Sequence, residues 1–164
     1  MRKLAGVIAV AALVAAVPTE AVAQGAARAF GFGGQVSWGG ESDLGIGLRY
    51  ENRHTVLMAS LPTLRYSLSF DLFFPGQGVS YFETNFGALY GFSSMGGGSV
   101  TPYAGGGLNL ALTTGGGAGN ADVGLNLIGG AQFRAMGRMT PYAEVRLELG
   151  GGEQFVITGG LMFF

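Results

Sequence analysis

The residues of this chain that could do chemistry are Arg49, Arg65, Arg134 and Arg146, set against Glu51, Asp71, Glu83, Asp122, Glu144 and Glu148, with Asn85, Asn109, Asn126 and Gln132 among them. Their spacing is plainest in Thr140–Gly150, where Ala143, Val145, Leu147 and Leu149 alternate with Glu144, Arg146 and Glu148. An extended strand places residues i and i+2 on one face about 7 Å apart. Arg146, bracketed by two carboxylates, is therefore the expected centre of an ion-pair network. Unpaired charges in a confined interior would cost several kcal/mol each, so pairing and hydrogen bonding are expected throughout the set.

Other chemistry finds less support. His54 is the one imidazole and could in principle act as a general base. Catalysis would also need a nucleophile and an orienting acid on the same surface. The serines of the following strand face the other way, so His54 reads as a solvated turn residue and no catalytic residue is assigned. Gly105-Gly106-Gly107 and Gly115-Gly116-Gly117 resemble phosphate loops only in glycine content, because neither precedes Lys-Ser/Thr or a helix. Cysteine is absent, so there is no disulfide framework, and no Cys/His cluster suggests a transition metal. Glu41, Asp43 and Glu153 could meet Ca²⁺, but a solvated rim is the simpler account. No cofactor is implied. The chain is nearly neutral, with a formal charge of −1, and has no basic patch for nucleic acid.

The elements that must position these groups are alternating strands. Phe30, Phe32, Val36 and Trp38 alternate with Gly31, Gly33, Gln35 and Ser37; after Gly39–Ser42, Leu44, Ile46, Leu48 and Tyr50 alternate with Gly45, Gly47, Arg49 and Glu51. Residues 52–62 break the pattern and form an irregular connection. Leu64 to Phe74 on even numbers face away from Arg65, Ser67, Ser69 and Asp71. Pro75–Gly78 is a tight hairpin loop, followed by Phe82, Phe86, Tyr90 and Phe92 opposite Tyr81, Glu83 and Asn85. Ser93–Ser99 turns the chain into a fifth strand over Thr101–Leu112. The sixth carries Val123, Leu125, Leu127 and Phe133 against Asp122, Asn126, Gln132 and Arg134, and the seventh is Thr140–Leu149. The eighth, Gln154–Phe164, has Phe155, Ile157, Leu161 and Phe163 on its apolar face; its other face, with Val156 and Met162, is only weakly polar.

Eight segments of about ten residues, each with one apolar face and one face of glycine, hydroxyls, amides and charges, match the repeating unit of a transmembrane barrel. A soluble barrel would put charge outside, and no choice of parity does so here. Closure is required, because an open edge in lipid leaves backbone groups unpaired. Aromatic residues collect at strand ends: Phe30, Trp38, Tyr50, Tyr66, Phe74, Phe82, Phe92 and Phe163 form two interfacial girdles. Tyr103 and Tyr142 fall on the inward parity and should plug one rim. Both lie in a repeated Thr-Pro-Tyr-Ala, at Thr101–Ala104 and Thr140–Ala143, and proline suits the first residue of a strand. Upstream, Arg2 and Lys3 precede an apolar run from Leu4 to Val17 and the triplet Ala21-Val22-Ala23, which reads as a cleavable secretory signal peptide over 1–23 with the barrel domain over 24–164.

With that signal peptide, eight alternating segments, two Thr-Pro-Tyr-Ala starts and a terminal Leu161-Met162-Phe163-Phe164, the whole mature chain resembles the small outer-membrane β-barrels of OmpA/OmpX type. The resemblance implies an all-β, eight-stranded antiparallel up-and-down transmembrane β-barrel, with periplasmic termini. It also implies a terminal aromatic, Phe164, read by the barrel-assembly machinery. Outer-membrane lipid and lipopolysaccharide are the expected surroundings of a monomer. The outward connections at 39–42, 75–78, 113–121 and 150–153 are short, which argues against an adhesin. An eight-stranded lumen is only wide enough for side chains to fill. The expected function is a non-enzymatic envelope protein with a plugged polar lumen, and the alternative is a narrow passive channel or a hydrophobic-ligand conduit.

Overall fold

The computed structural model describes residues 30–52, 64–76, 78–115, 119–150 and 153–164. The signal-peptide assignment and His54 lie outside these residues. Eight strands follow in order: β1 (Phe30–Gly39), β2 (Asp43–Asn52), β3 (Leu64–Phe73), β4 (Ser80–Gly91), β5 (Val100–Thr114), β6 (Asn120–Phe133), β7 (Met139–Leu149) and β8 (Gln154–Phe163). Each pairs antiparallel with its neighbours in sequence, and β1 pairs with β8 to close the barrel. The closing ladder runs from Phe32 opposite Phe163 to Gly39 opposite Val156.

The strands form because their alternation suits a sheet with unlike surfaces. Outside stand Val36, Trp38, Leu48, Leu108, Val123, Leu125, Leu147 and Ile157, each more than 40 % exposed. No strand position on the outward parity carries a charged side chain. Inside lie Arg49, Glu51, Asp71, Glu83, Arg146 and Glu148, all buried. The sheet is thus inverted relative to a soluble barrel, whose charges would face water. On β8 the parity resolves cleanly: Phe155, Ile157, Leu161 and Phe163 point out, and Val156 and Met162 are fully buried inside.

The expectation of a polar lumen needs amendment. Phe73, Leu89, Ile128, Val156 and Met162 also point inward, and Leu89 and Ile128 pack with Tyr103. Interior glycines make room for the bulky members. A Cβ at Gly130 would lie 2.6 Å from the Tyr103 hydroxyl, one at Gly160 2.7 Å from the Tyr142 ring, and one at Gly45 2.6 Å from Phe73. Strand glycine here marks close approach of a facing side chain.

At one end of the barrel sit the start of β1, the end of β8 and the β4–β5 and β6–β7 turns. The opposite, far end carries the β1–β2, β3–β4, β5–β6 and β7–β8 connections. The turn into β2 is tight enough that Asp43 adopts φ 58°, a left-handed conformation that Asp tolerates better than most residues. The β5–β6 hairpin is the longest, its paired region reaching Thr113 opposite Asn120, so the connection there is shorter than the 113–121 loop expected from sequence.

Val145 is 43 % exposed on the outward face of β7. Val145→Arg should lower insertion into vesicles by about 2–4 kcal/mol if the site sits near the bilayer midplane. Equal membrane yield of variant and parent would show the two faces assigned backwards.

Candidate functional site

The lumen holds five buried carboxylates, Glu51, Asp71, Glu83, Glu144 and Glu148, and three buried guanidiniums, Arg49, Arg65 and Arg146. They divide into two clusters stacked along the barrel axis. The cluster nearer the terminal end is charge-balanced. Arg49 donates through Nη1 to Glu144 at 2.8 Å and its Nε lies 3.2 Å from Glu51. Arg65 Nε stands 3.5 Å from the other Glu51 oxygen, and Gln132 donates to Glu51 at 3.1 Å. Tyr103 donates its hydroxyl to Glu144 at 2.9 Å.

The two tyrosines do more than plug a rim. The Arg65 guanidinium lies over the Tyr103 ring at 4.4 Å, and that of Arg49 over Tyr142 at 4.7 Å. A guanidinium over an aromatic face retains attraction where water is scarce, and its weak hydration makes arginine better suited than lysine to this place. The repeated Thr-Pro-Tyr-Ala therefore delivers one tyrosine under each arginine.

The far cluster is organised by Arg146, and it is acid-rich. Arg146 Nε donates to Glu148 at 2.7 Å, while Nη2 lies 3.7 Å from Asp71 and 3.6 Å from Glu83. Asp71 accepts from Gln35 at 2.6 Å, from Ser37 at 3.2 Å and from Ser69 at 3.3 Å. Asn126 donates to Asn85 at 2.6 Å, and Asn85 and Asn109 reach Asp71 and Glu83, each at 3.5 Å. Gln154 donates to Glu148 at 2.9 Å and accepts from Ser42 at 2.7 Å. Tyr142 donates to Gln35, so one side chain of the first cluster is tied to the ligand shell of the second.

Three sequence expectations change. Arg134 is not in the lumen: β6 ends at Phe133, and Arg134 is exposed in the turn leading to β7. Its parity was inward, but parity has meaning only while the strand lasts. Asp122 is half-exposed at the far mouth, where it accepts from Asn120, and it joins neither cluster. Glu144 flanks Arg146 in sequence yet pairs with Arg49, because its carboxylate meets Arg49 Nη1 and the Tyr103 hydroxyl. Gln35, Ser37, Gln154 and Thr158 also join the network, and inward parity is the signal for them; Ser42 joins it from the β1–β2 turn, where parity gives no signal.

The aromatic residues expected at the strand ends all lie outside the barrel. Phe30, Tyr50, Tyr66, Phe92 and Phe163 stand toward the terminal end, with Phe30 stacked on Tyr50 at 6.2 Å; Trp38, Phe74 and Phe82 stand toward the far end. Phe74 and Phe92 fall one residue beyond β3 and β4. Phe164 follows β8, its amide donating to the Arg138 carbonyl at 3.0 Å and its ring lying over Gly31.

No protein-family model matches the sequence, and no curated protein matches it either. Solved structures do. The N-terminal β-barrel domain of Pseudomonas aeruginosa OprF aligns with a TM-score of 0.64 at 14 % identity, over 82 % of this chain and 95 % of that one. Neisserial surface protein A aligns with a TM-score of 0.58 at 15 % identity, over 82 % and 94 %. The chain has the small outer-membrane β-barrel fold. In such a barrel the outward apolar surface meets lipid and the two charge clusters lie within the lumen.

Arg146 is 2 % exposed among three carboxylates. Arg146→Met should destabilise the barrel by about 3–5 kcal/mol, read as a lower urea midpoint in vesicles, because it strands buried charge. Arg134→Gln should stay within about 0.5 kcal/mol of the parent. Equal midpoints for Arg146→Met and the parent would show that the far cluster is hydrated and carries no buried charge.

Proposed function

We propose that this protein is a non-enzymatic integral barrel of the outer membrane whose lumen is closed by its own side chains, with a structural or surface-interaction role in the envelope. The observation that carries the reading is the cross-lumen bonding: Arg49 on β2 reaches Glu144 on β7, and Arg146 on β7 reaches Asp71 on β3 and Glu83 on β4. Such contacts span the bore. The interior glycines support it as well, since Tyr103, Tyr142 and Phe73 occupy the space that side chains at Gly130, Gly160 and Gly45 would have taken.

The non-enzymatic part of the reading rests on where the reactive groups are. The carboxylates and guanidiniums of both clusters are engaged inside the lumen, and the lipid-facing parity of the strands carries none. A lipid substrate lying against that surface would meet no charged side chain there. Outer-membrane lipid and lipopolysaccharide are the proposed surroundings, with the termini periplasmic and the terminal Phe163-Phe164 recognised by the assembly machinery.

A narrow passive path is the second reading, favoured by one feature: three carboxylates face a single guanidinium in the far cluster. Any leak through it would select cations.

Planar bilayers holding the purified protein, its folding established by a heat-modifiable gel shift, decide between the two. No steady unitary conductance is expected from the parent. Steady openings that prefer cations and change with substitution of Arg146 would overturn the plug in favour of the path.

A further inference from the structure

The end of the barrel that carries the β4–β5 and β6–β7 turns holds two cations that the lumen does not use. Arg134 and Arg138 are exposed on the β6–β7 turn, and neither guanidinium makes an ion pair among the described residues. Segments 92–102 and 131–142 contain no Asp or Glu. Even counting the terminal carboxylate on Phe164, whose amide donates to the Arg138 carbonyl at 3.0 Å, this sector keeps a net positive charge. The turn itself is fixed. Met136 and Met139 exchange backbone hydrogen bonds across Gly137-Arg138, with Gly137 at φ 66°, the left-handed conformation that a two-residue hairpin turn asks of its first residue. The Arg134 amide donates to the Ser99 carbonyl at 2.8 Å and so joins this turn to the β4–β5 turn. Both turns are apolar on the outside: Met95 and Met136 are 60 % and 59 % exposed, and Phe133, Met139 and Phe163 also face outward. Val100 pairs with Met95 and with Phe133, and Met139 pairs with Phe163, so these side chains continue the outward face of the strands. The apolar surface thus runs on past the strand ends, and its edge carries two guanidiniums.

We propose that this edge binds the head group of an acidic phospholipid, with Arg134 and Arg138 on the phosphate and Met136, Met139 and Phe133 against the start of the acyl chains. The inference rests on the outer-membrane reading above and names the lipid that the terminal end would select. Two observations carry it. The first is continuity with the lipid-facing surface: exposed apolar side chains and cations stand side by side where hydrocarbon gives way to water, and such an edge is drawn to anionic lipid. The second is charge. A planar, weakly hydrated guanidinium offers paired N–H donors that match phosphate oxygens. A zwitterionic head group would bring its own ammonium to a sector without Asp or Glu side chains to receive it. Free phosphate would meet the arginines and leave the methionines in water. An acidic protein would have to displace lipid from the same apolar edge.

The test uses the full chain refolded in micelles of a zwitterionic detergent, with the heat-modifiable gel shift as the check that parent and variants are folded. Short-chain phosphatidylglycerol is titrated at constant ionic strength while the side-chain Nε–H groups of Arg134 and Arg138 and the Gly137 amide are followed by NMR. Short-chain phosphatidylcholine, inorganic phosphate and polyglutamate serve as comparison probes. Saturable shifts with phosphatidylglycerol alone are expected, weakening as salt is raised. Arg134→Gln and Arg138→Gln should each weaken binding about fivefold. Met136→Ser should weaken it too, which a bare anion site would not do, and Glu41→Gln, at the opposite end of the barrel, should leave it unchanged. Absence of saturation in a protein that passes the gel-shift check would overturn this proposal and leave the barrel reading standing. An equal response to phosphatidylcholine would overturn it in favour of an apolar surface only, and an equal response to phosphate in favour of a simple anion site. Saturation by polyglutamate alone would make the edge a face for an acidic protein, and undiminished binding by the Arg134→Gln/Arg138→Gln double variant would place the lipid elsewhere.

Discussion

The ladder between β1 and β8 is the constraint on which the rest of the molecule depends. Pairing Phe32 with Phe163 and Gly39 with Val156 removes the last two sheet edges, so the backbone amides and carbonyls of the strands find partners within the sheet. In a medium without water that condition decides which chains can span it at all. Once the sheet is closed, every strand has an inside and an outside, and a side-chain period of two assigns each residue to one of them. A slip of one residue would turn Arg146 and its carboxylate partners toward the hydrocarbon and Val145 and Leu147 toward the lumen, so burial on both faces fixes the register.

Closure also creates the problem that the interior solves. Eight strands enclose a space that water does not easily fill, and this chain sends eight charged side chains into it. The terminal cluster balances two arginines against Glu51 and Glu144, and backs both guanidiniums with tyrosine rings. The far cluster surrounds one arginine with three carboxylates and spreads their charge over serine, asparagine and glutamine donors. A buried pair is weak evidence of net stability, since hydrophobic replacements of both partners are often neutral. What the pairs contribute here is position: Arg49 to Glu144 and Arg146 to Asp71 join strands that are not neighbours in the sheet.

Period-two alternation made the strand order, the outward face and most of the lumen residues readable before any coordinates. It could not show which acid meets which base. Glu144 and Arg146 are two residues apart on one face, yet their side chains part company, Glu144 to Arg49 and Arg146 to Glu148 and β3 and β4. That choice depends on strand stagger across the bore, which local sequence does not encode. Arg134 shows a different limit. Its number has the inward parity, but Phe133 is the last residue of β6, and one residue beyond a strand end parity loses its meaning. The inward apolar residues Phe73, Leu89 and Ile128 are hidden from any reading of alternation as polar against apolar, whereas a glycine opposite a large side chain serves the lumen equally well.

The two ends of the bore consequently differ. Toward the termini the interior is neutral, aromatic and tied together by Tyr103 and Tyr142; toward the far mouth it grows acidic through Asp71, Glu83 and Glu148 to Asp122 and Glu41. Arg134 and Arg138 lie at the opposite end of the barrel from Glu41, Asp43, Asp122 and Glu153. Low-dielectric walls carry such a gradient farther than water would, because the field lines are confined to the lumen. Among the described residues, Arg146 is the only buried positive charge among the carboxylates of this acidic half. The arginine that holds the far carboxylates together thus also stands between the acidic mouth and the charge-balanced half behind it.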